Sequence, residues 1–182
     1  MRNVSGLLLL AALAGCGGNA AAPAPRTFDL GFSAPNARLP ALRVASVRAI
    51  APFDGVQMRF RLAWRNPSEL ADYAHSQWAA PPAELIRKQL LRAVGEGVAK
   101  CGLEIELQEF SQVFASKETS EARIELRVAL ANASTRIAAR GVTVVEPGAG
   151  SDAASGAAAM ARATERVLGE LAAWVGAQPG CA

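Results

Sequence analysis

The sequence is poor in the side chains that most often carry enzyme chemistry. Its 182 residues include one His and one Tyr, and aromatic residues make up 5% of the chain. It contains no GxSxG, no HExxH and no glycine-rich phosphate loop, the patterns that place a nucleophile, a catalytic metal or a nucleotide. We therefore predict a protein that is not an enzyme and that binds no cofactor.

The one imidazole, His75, lies in the stretch YAHSQWAAPPAELI at residues 73–86. Its only acidic neighbour in the sequence is Asp72, and no nucleophile stands nearby at a familiar spacing. General bases need a partner within hydrogen-bond reach. A lone His beside Tyr and Trp is more often a packing or rim residue, so we predict no chemistry at His75.

Cysteine is scarce as well, with Cys16, Cys101 and Cys181 as the three examples. The last two match no metal-binding spacing, and a single His does not complete a zinc site with them, so no metal site is predicted. In an oxidising compartment, Cys101 and Cys181 are an even pair that can form a disulfide. Two free thiols are the alternative, and the sequence leaves both open.

Charge blocks and long apolar runs are also missing from the body of the chain. The formal net charge of +3 is spread along the sequence, which argues against nucleic acid as a partner. No internal apolar run approaches the ~20 residues that a membrane-spanning helix needs. A second passage through a membrane is therefore not predicted.

An apolar run is present at the N-terminus, which reads MRNVSGLLLLAALAGC. Arg2, a short apolar run and small residues have the order of a secretory signal. Leu13-Ala14-Gly15-Cys16 resembles the bacterial lipobox, in which the Cys is lipidated and becomes the new N-terminus. We predict a signal peptide over residues 1–15 and lipidation of Cys16. An ordinary cleaved signal, with Cys16 incidental, is the alternative.

Residues 16–26 are rich in Gly, Ala and Pro and have almost no charge, as expected of a flexible tether. Two or more acyl chains on Cys16 would anchor the protein stably. Residue 17 is Gly, whereas Asp at that position retains bacterial lipoproteins at the inner membrane. We therefore predict the periplasmic face of the outer membrane as the location.

The remaining chain predicts a single α+β domain over residues 27–178 and a short tail over 179–182. Period-two alternation predicts strands, most clearly over Gln57–Arg65, and helical spacing predicts one helix from the double proline to Cys101 and another from Ser151-Asp152 to Gly176. The order β-β-β-α-β-β-β-α indicates a largely antiparallel sheet covered on one face by two helices.

Five side chains are candidates for docking a partner. Tyr73 and Trp78 lie in a predicted linker before the first helix, where they either pin the linker to the core or offer exposed anchors. Arg59, Arg61 and Arg65 line the polar side of the third strand. They either meet an acidic surface or lipid headgroups, or they form an ordinary solvated face.

Three stretches carry a family resemblance. The first combines Met58-Arg59-Phe60-Arg61, Leu70, Tyr73-Ala74, Ser76, Trp78-Ala79, Pro81-Pro82 and Glu84-Leu85; the others are Glu109–Phe114 and Ala172-Ala173-Trp174. Together they resemble the ABC-type transport auxiliary lipoprotein family, over roughly residues 28–175. His75 departs from the pattern, which places small or other polar residues there.

The resemblance implies a non-catalytic periplasmic subunit of a Pqi- or Mla-like lipid transport system, linking the periplasmic assembly to the outer membrane. Its partners would be an MCE-domain protein with an ABC permease and ATPase, all separate polypeptides. The alternative is a periplasmic carrier that itself binds phospholipid, and a hydrolase is a remote third class. Homo-oligomerisation and the identity of the lipid stay open.

Overall fold

A computed structural model describes residues 24–32, 34–132, 135–148 and 150–181. The predicted signal peptide, Cys16 and most of the tether lie outside these residues. The described chain contains, in order, β1 (Arg26–Phe28), β2 (Arg43–Ala49), β3 (Gln57–Leu62), β4 (Ala71–Trp78), α1 (Pro82–Ala93), β5 (Gly102–Phe114), β6 (Ser120–Ala131), β7 (Arg136–Pro147) and α2 (Ala153–Gly176).

The seven described strands form one sheet in the order β1-β4-β3-β5-β6-β7, with β2 also paired to β5. β5 is 13 residues long. It pairs with β6 along one side, and on the other side with β2 over its first half and β3 over its second. The predicted α+β fold, with one sheet and two helices, is confirmed.

The strand pairing is more mixed than the predicted, largely antiparallel arrangement. β3–β4, β5–β6 and β6–β7 are antiparallel, whereas β1–β4, β2–β5 and β3–β5 are parallel. The parallel pairs involving β5 arise because α1 lies between β5 and its partners β2 and β3, and such a crossover lets the chain return in the same direction.

Both helices pack on the same side of the sheet. α2 lies against β6 and β7, and α1 lies against β2. The alternating side chains of β6 that face the helices are buried, whereas Arg127 on the opposite side is exposed. The core is completed by fully buried helix residues that include Ile86, Leu90 and Leu168. The result is a helix-covered face and a helix-free face of the sheet.

The first helix is shorter than predicted. It ends at Ala93, and Val94 has an extended backbone as the C-cap. Val94 then forms a bridge with Leu39, and Gly97 has a φ of +134°, which a β-carbon disfavours. The predicted continuation through Val98 to Cys101 is therefore wrong, and the side chain of Val98 is 85% exposed.

The segment that was predicted to be a linker contains strand β4. Its sequence, ADYAHSQW, lacks hydrophobic alternation, and most of its side chains are partly or fully exposed. Hydrogen bonding to β3 on one side and β1 on the other makes it a strand. The observed order is accordingly β-β-β-β-α-β-β-β-α, with one more strand than predicted.

Candidate functional site

An apolar pocket opens where β3 and β5 end and α2 begins, on the helix-covered side of the sheet. Its volume is about 290 Å³. The ring of Phe60 lies 4.7 Å from that of Tyr73 and 6.1 Å from that of Phe114, measured between centroids. The lining residues are Phe60, Leu62, Trp64, Tyr73, Phe114, Ser116, Lys117 and Ser151. We call this the aromatic pocket.

A chain of hydrogen bonds supports one wall of the aromatic pocket. The Tyr73 hydroxyl donates to Oε1 of Gln112 at 2.8 Å, and Gln112 Nε2 donates to the Ser120 hydroxyl at 2.8 Å. Ser120 donates in turn to the carbonyl of Gly150 at 2.7 Å. Burial, followed by the negative charge of Asp152, raises the pKa of Tyr73 to about 12. The phenol is therefore a neutral donor at physiological pH.

The start of α2 closes over this chain of hydrogen bonds. Asp152 is the N-cap of α2, and its carboxylate accepts from the backbone N–H of Ser155 at 2.8 Å. One turn further, Gly156 lies so close to Gln112 that a β-carbon would stand 2.1 Å from its Oε1. Glycine at this position lets the helix reach the buried amide.

The rim of the aromatic pocket is amphipathic. Trp64 is 46% exposed, and the ammonium of Lys117 lies 5.8 Å from the centroid of its ring. An exposed cation–π contact of this kind contributes roughly 0.5–1 kcal/mol. Glu118 in the same loop accepts a hydrogen bond from Ser116, so the rim holds charges of both signs.

The helix-free face carries a second concavity, a groove of about 620 Å³ lined by charged side chains of β2, β5, β6 and β7. Arg48 and Glu106 form an ion pair at 2.6 Å, and Arg123 and Glu125 form another at 2.8 Å. Hydrogen bonds from Arg48 and then Gln108 lower the pKa of Glu106. Arg127 is exposed beside them. We call this surface the charged groove.

The structure separates the predicted docking residues onto two faces. Arg59 pairs with Asp72 at 2.8 Å, and Arg61 pairs with Glu109 at 2.9 Å, both on the helix-free face. Tyr73 belongs to the aromatic pocket on the opposite face, and Arg65 is exposed in the turn after β3. The charges of Arg59 and Arg61 are therefore neutralised by acidic side chains of the domain itself.

Trp78 is a core residue. Its side chain is 3% exposed and packs edge-on against Phe110, with ring centroids 5.3 Å apart. Its buried Nε1 has no hydrogen-bond partner among the described residues. The interpretation of Trp78 as an exposed anchor is wrong, because its ring fills the core. His75, three residues earlier, is exposed on β4.

Cys101 and Cys181 are joined by a disulfide, with their Cα atoms 5.3 Å apart. Cys101 lies in the segment between α1 and β5, not at the end of α1 as predicted, and Cys181 follows α2. The bond ties the C-terminal tail to the start of β5.

The described residues offer neither a metal-binding cluster nor a membrane-spanning helix. Within them, no group of three or more His, Cys, Asp and Glu side chains is placed to hold a metal ion. In the same part of the chain, no helix combines the length and the apolar character needed to cross a membrane.

Sequence reasoning missed most of the aromatic pocket. Phe60 and Tyr73 belong to the first family-like stretch, and Gln112 and Phe114 belong to the second. The structure brings these segments to one place through the β4-β3-β5 order. Alternation of Phe60 and Leu62 in β3 with Trp64 in the turn after it was the available signal, but it does not reveal where the helices stop covering the sheet.

Comparison with known proteins establishes the fold. No family model and no curated protein matches the chain. The crystal structure of protein XCC0632 from Xanthomonas campestris, described with the DUF330 family model, is 25% identical with a TM-score of 0.64, over 83% of this chain and 92% of that one. A second structure, of an uncharacterised protein, is 11% identical with a TM-score of 0.66, over 84% of this chain and 99% of that one. The chain is thus similar in fold to solved proteins along most of its length.

Proposed function

We propose that this protein is a non-catalytic, lipid-anchored periplasmic subunit of an MCE-type lipid transport system. It is anchored by Cys16 at the outer membrane and contacts the MCE-domain protein, which works with an ABC permease and ATPase. The observation that carries the proposal is the uncovered, charged face of the sheet. The lipobox-like N-terminus and the family resemblance supply the compartment and the partner.

The charged groove has the chemistry of a protein contact. Arg and Glu side chains alternate across neighbouring strands, and several, such as Arg48 and Glu106, already form exposed pairs. Exposed pairs contribute little to stability, roughly 0–1 kcal/mol each. Where a partner carries complementary charges, such side chains govern the specificity and the rate of association instead. We therefore assign the charged groove as the surface that meets the MCE-domain protein.

The aromatic pocket argues against a carrier that encloses a whole phospholipid. Its volume of about 290 Å³ is at or below the lower limit of about 300 Å³ for sites that bury a small molecule. A diacyl lipid is larger than most such ligands. The carrier alternative therefore requires the sheet and helices to separate.

Capture of the MCE-domain protein of the same organism by the full-length protein tests the proposal. We expect Arg127→Glu, which reverses a charge in the charged groove, to weaken capture at least tenfold and to make capture less sensitive to added salt, because an attractive charge is replaced by a repulsive one. Arg87→Glu is the matched control, because Arg87 is also exposed but lies on α1. It should leave capture unchanged.

Equal capture by the wild-type protein and Arg127→Glu would show that the charged groove is not the contact surface. No capture by the wild-type protein would contradict the proposed function. Phospholipid that copurifies in a fixed stoichiometric ratio, seen by native mass spectrometry, would favour the carrier instead.

A further inference from the structure

The first described strand, β1, begins at the end of the sheet where the aromatic pocket opens. β1 runs parallel to β4, with Arg26 opposite Ser76. Tyr73 stands three residues nearer the start of β4, about 10 Å along the strand. The chain before Arg26 therefore joins the domain from the end of the sheet at which the pocket opens.

The effect of one charge at the start of α2 agrees with this placement. The pKa of Asp152 is lowered chiefly by hydrogen bonds from Ser155, and the positive charge of Arg26 lowers it further. Asp152 follows Ser151, which lines the aromatic pocket. The beginning of β1, the beginning of α2 and the pocket thus lie at one end of the domain, which we call the anchor end.

The length of the predicted tether limits how far Cys16 can lie from the anchor end. Ten residues separate Cys16 from Arg26 (26 − 16), and a flexible chain of that length spans about 16–19 Å on average. α2 has 24 residues, and its rise of ~1.5 Å per residue carries Trp174 about 30 Å from its first turn. A membrane that holds Cys16 therefore lies nearer to the aromatic pocket than to Trp174.

The rim of the pocket suits such a surface. Trp is enriched at membrane–water interfaces, where its ring sits among the headgroups, and Lys extends an apolar stem with a charged tip. Trp64 is an exposed aromatic side chain at this end, with Lys117 over its ring. Glu118 offsets the charge of Lys117, so the apolar surface, more than net charge, favours the contact.

We propose that the aromatic pocket is a membrane-contact site, which lies against the bilayer that holds Cys16 and admits part of one phospholipid acyl chain. Trp64 enters the headgroup layer, and Phe60, Leu62 and Phe114 supply the apolar walls. This inference rests on the proposed function, because it requires Cys16 to be lipidated. The site orients the domain so that the charged groove stays accessible to a protein partner.

Fluorescence quenching in vesicles tests the contact. The full-length mature lipoprotein is reconstituted into phosphatidylethanolamine–phosphatidylglycerol vesicles with and without bromine on the acyl chains, which quenches nearby Trp fluorescence. Trp64→Phe removes the rim indole and keeps an aromatic ring. Trp174→Phe is the matched control, because Trp174 is partly buried at the far end of α2, under Arg140. Trp78 is buried in every variant and supplies a constant background.

We expect brominated lipid to quench the wild-type protein and Trp174→Phe, and expect most of that quenching to disappear in Trp64→Phe. Flotation of the vesicles reports anchoring separately. A protein that floats but is not quenched, or is quenched only through Trp174, overturns the membrane-contact site and leaves the proposed function standing. A wild-type protein that does not float contradicts both. Loss of MCE-protein capture in Trp64→Phe, without quenching in the wild type, would make the pocket a protein-docking site and also overturn the proposal.

Discussion

The hydroxyl of Tyr73 donates a 2.8 Å hydrogen bond to Oε1 of Gln112, although strand β3 lies between the two strands that carry these residues. The bond passes beside the ring of Phe60, which is paired in register with Gln112. It links the edge of the sheet to the hydrogen bonds beneath the start of α2. One phenol therefore joins the wall of the aromatic pocket to the helix that borders it.

Titration of Tyr73 can be followed without interference, because it is the only Tyr in the chain. We expect the near-ultraviolet absorbance of tyrosinate to appear with a pKa of about 12 in the folded protein, against about 10 in the unfolded chain. A folded-state value near 10 would show that the ring is more solvated than the structure has it.

The same shift predicts how stability depends on alkaline pH. Burial favours the neutral phenol, so its raised folded pKa contributes stability that is complete below pH ~10 and is lost as the pH rises toward 12. Tyr73→Phe removes this titration but leaves the Lys and Arg side chains unchanged. The melting temperature of the wild-type protein should therefore fall more steeply over this range than that of Tyr73→Phe. Parallel curves would contradict the assignment.

Trp78 and His75 are expected to differ sharply although they lie three residues apart. Cutting a buried Trp to Ala costs about 3–5 kcal/mol of unfolding free energy, and Trp78 is 3% exposed. His75 is exposed, so His75→Ala should change the unfolding free energy by less than about 0.5 kcal/mol. Denaturant unfolding measures both.

Lipid transport in cells provides the second measurement for His75→Ala. We expect normal transport, because the imidazole has no catalytic role in this proposal. A variant that folds and binds its partner normally, yet abolishes transport, would reopen the question of chemistry at His75.

The disulfide should be detectable and stabilising. Thiol titration of the unfolded, non-reduced protein should find neither Cys101 nor Cys181 free. The bond joins residues 80 positions apart, and closing a loop of that length stabilises by about 4 kcal/mol in the chain-entropy model, often less in practice. Cys101→Ser should lower the unfolding free energy by up to this amount. Two reactive thiols in the wild-type protein would contradict the bond.

Lipidation of Cys16 is testable in cells. Cys16→Ser removes the thiol that would receive the lipid, so we expect loss of palmitate labelling and loss of the protein from the outer-membrane fraction. Gly17→Ala, next to Cys16, is the matched control and should retain both the labelling and the outer-membrane location. Continued labelling of Cys16→Ser would contradict the lipoprotein assignment.

The sequence correctly predicted the strands and helices that carry a local pattern, either alternating hydrophobic residues or residues that start a helix. Alternation identified the β3, β5 and β6 strands, and Asp152 and the double proline marked the helix starts. The prediction from sequence was wrong where a local pattern and the tertiary pairing disagree. Val94 and Val98 continue a helical spacing, but the bridge from Leu39 to Val94 and the turn at Gly97 end the helix first.

Strand β4 and the aromatic pocket depended on the tertiary structure alone. The sequence of β4 has no alternation because most of its side chains are partly or fully exposed, so burial left no periodic mark. Its pairing with β3, and with β1 over residues 76–78, makes it a strand. The same long-range pairing brings Phe60, Tyr73 and Phe114 together, and the place where α2 begins decides that they border an open pocket. The sequence left two alternatives for Trp78, a ring that pins its segment to the core and an exposed anchor. Packing against Phe110 in the tertiary structure decides for the core.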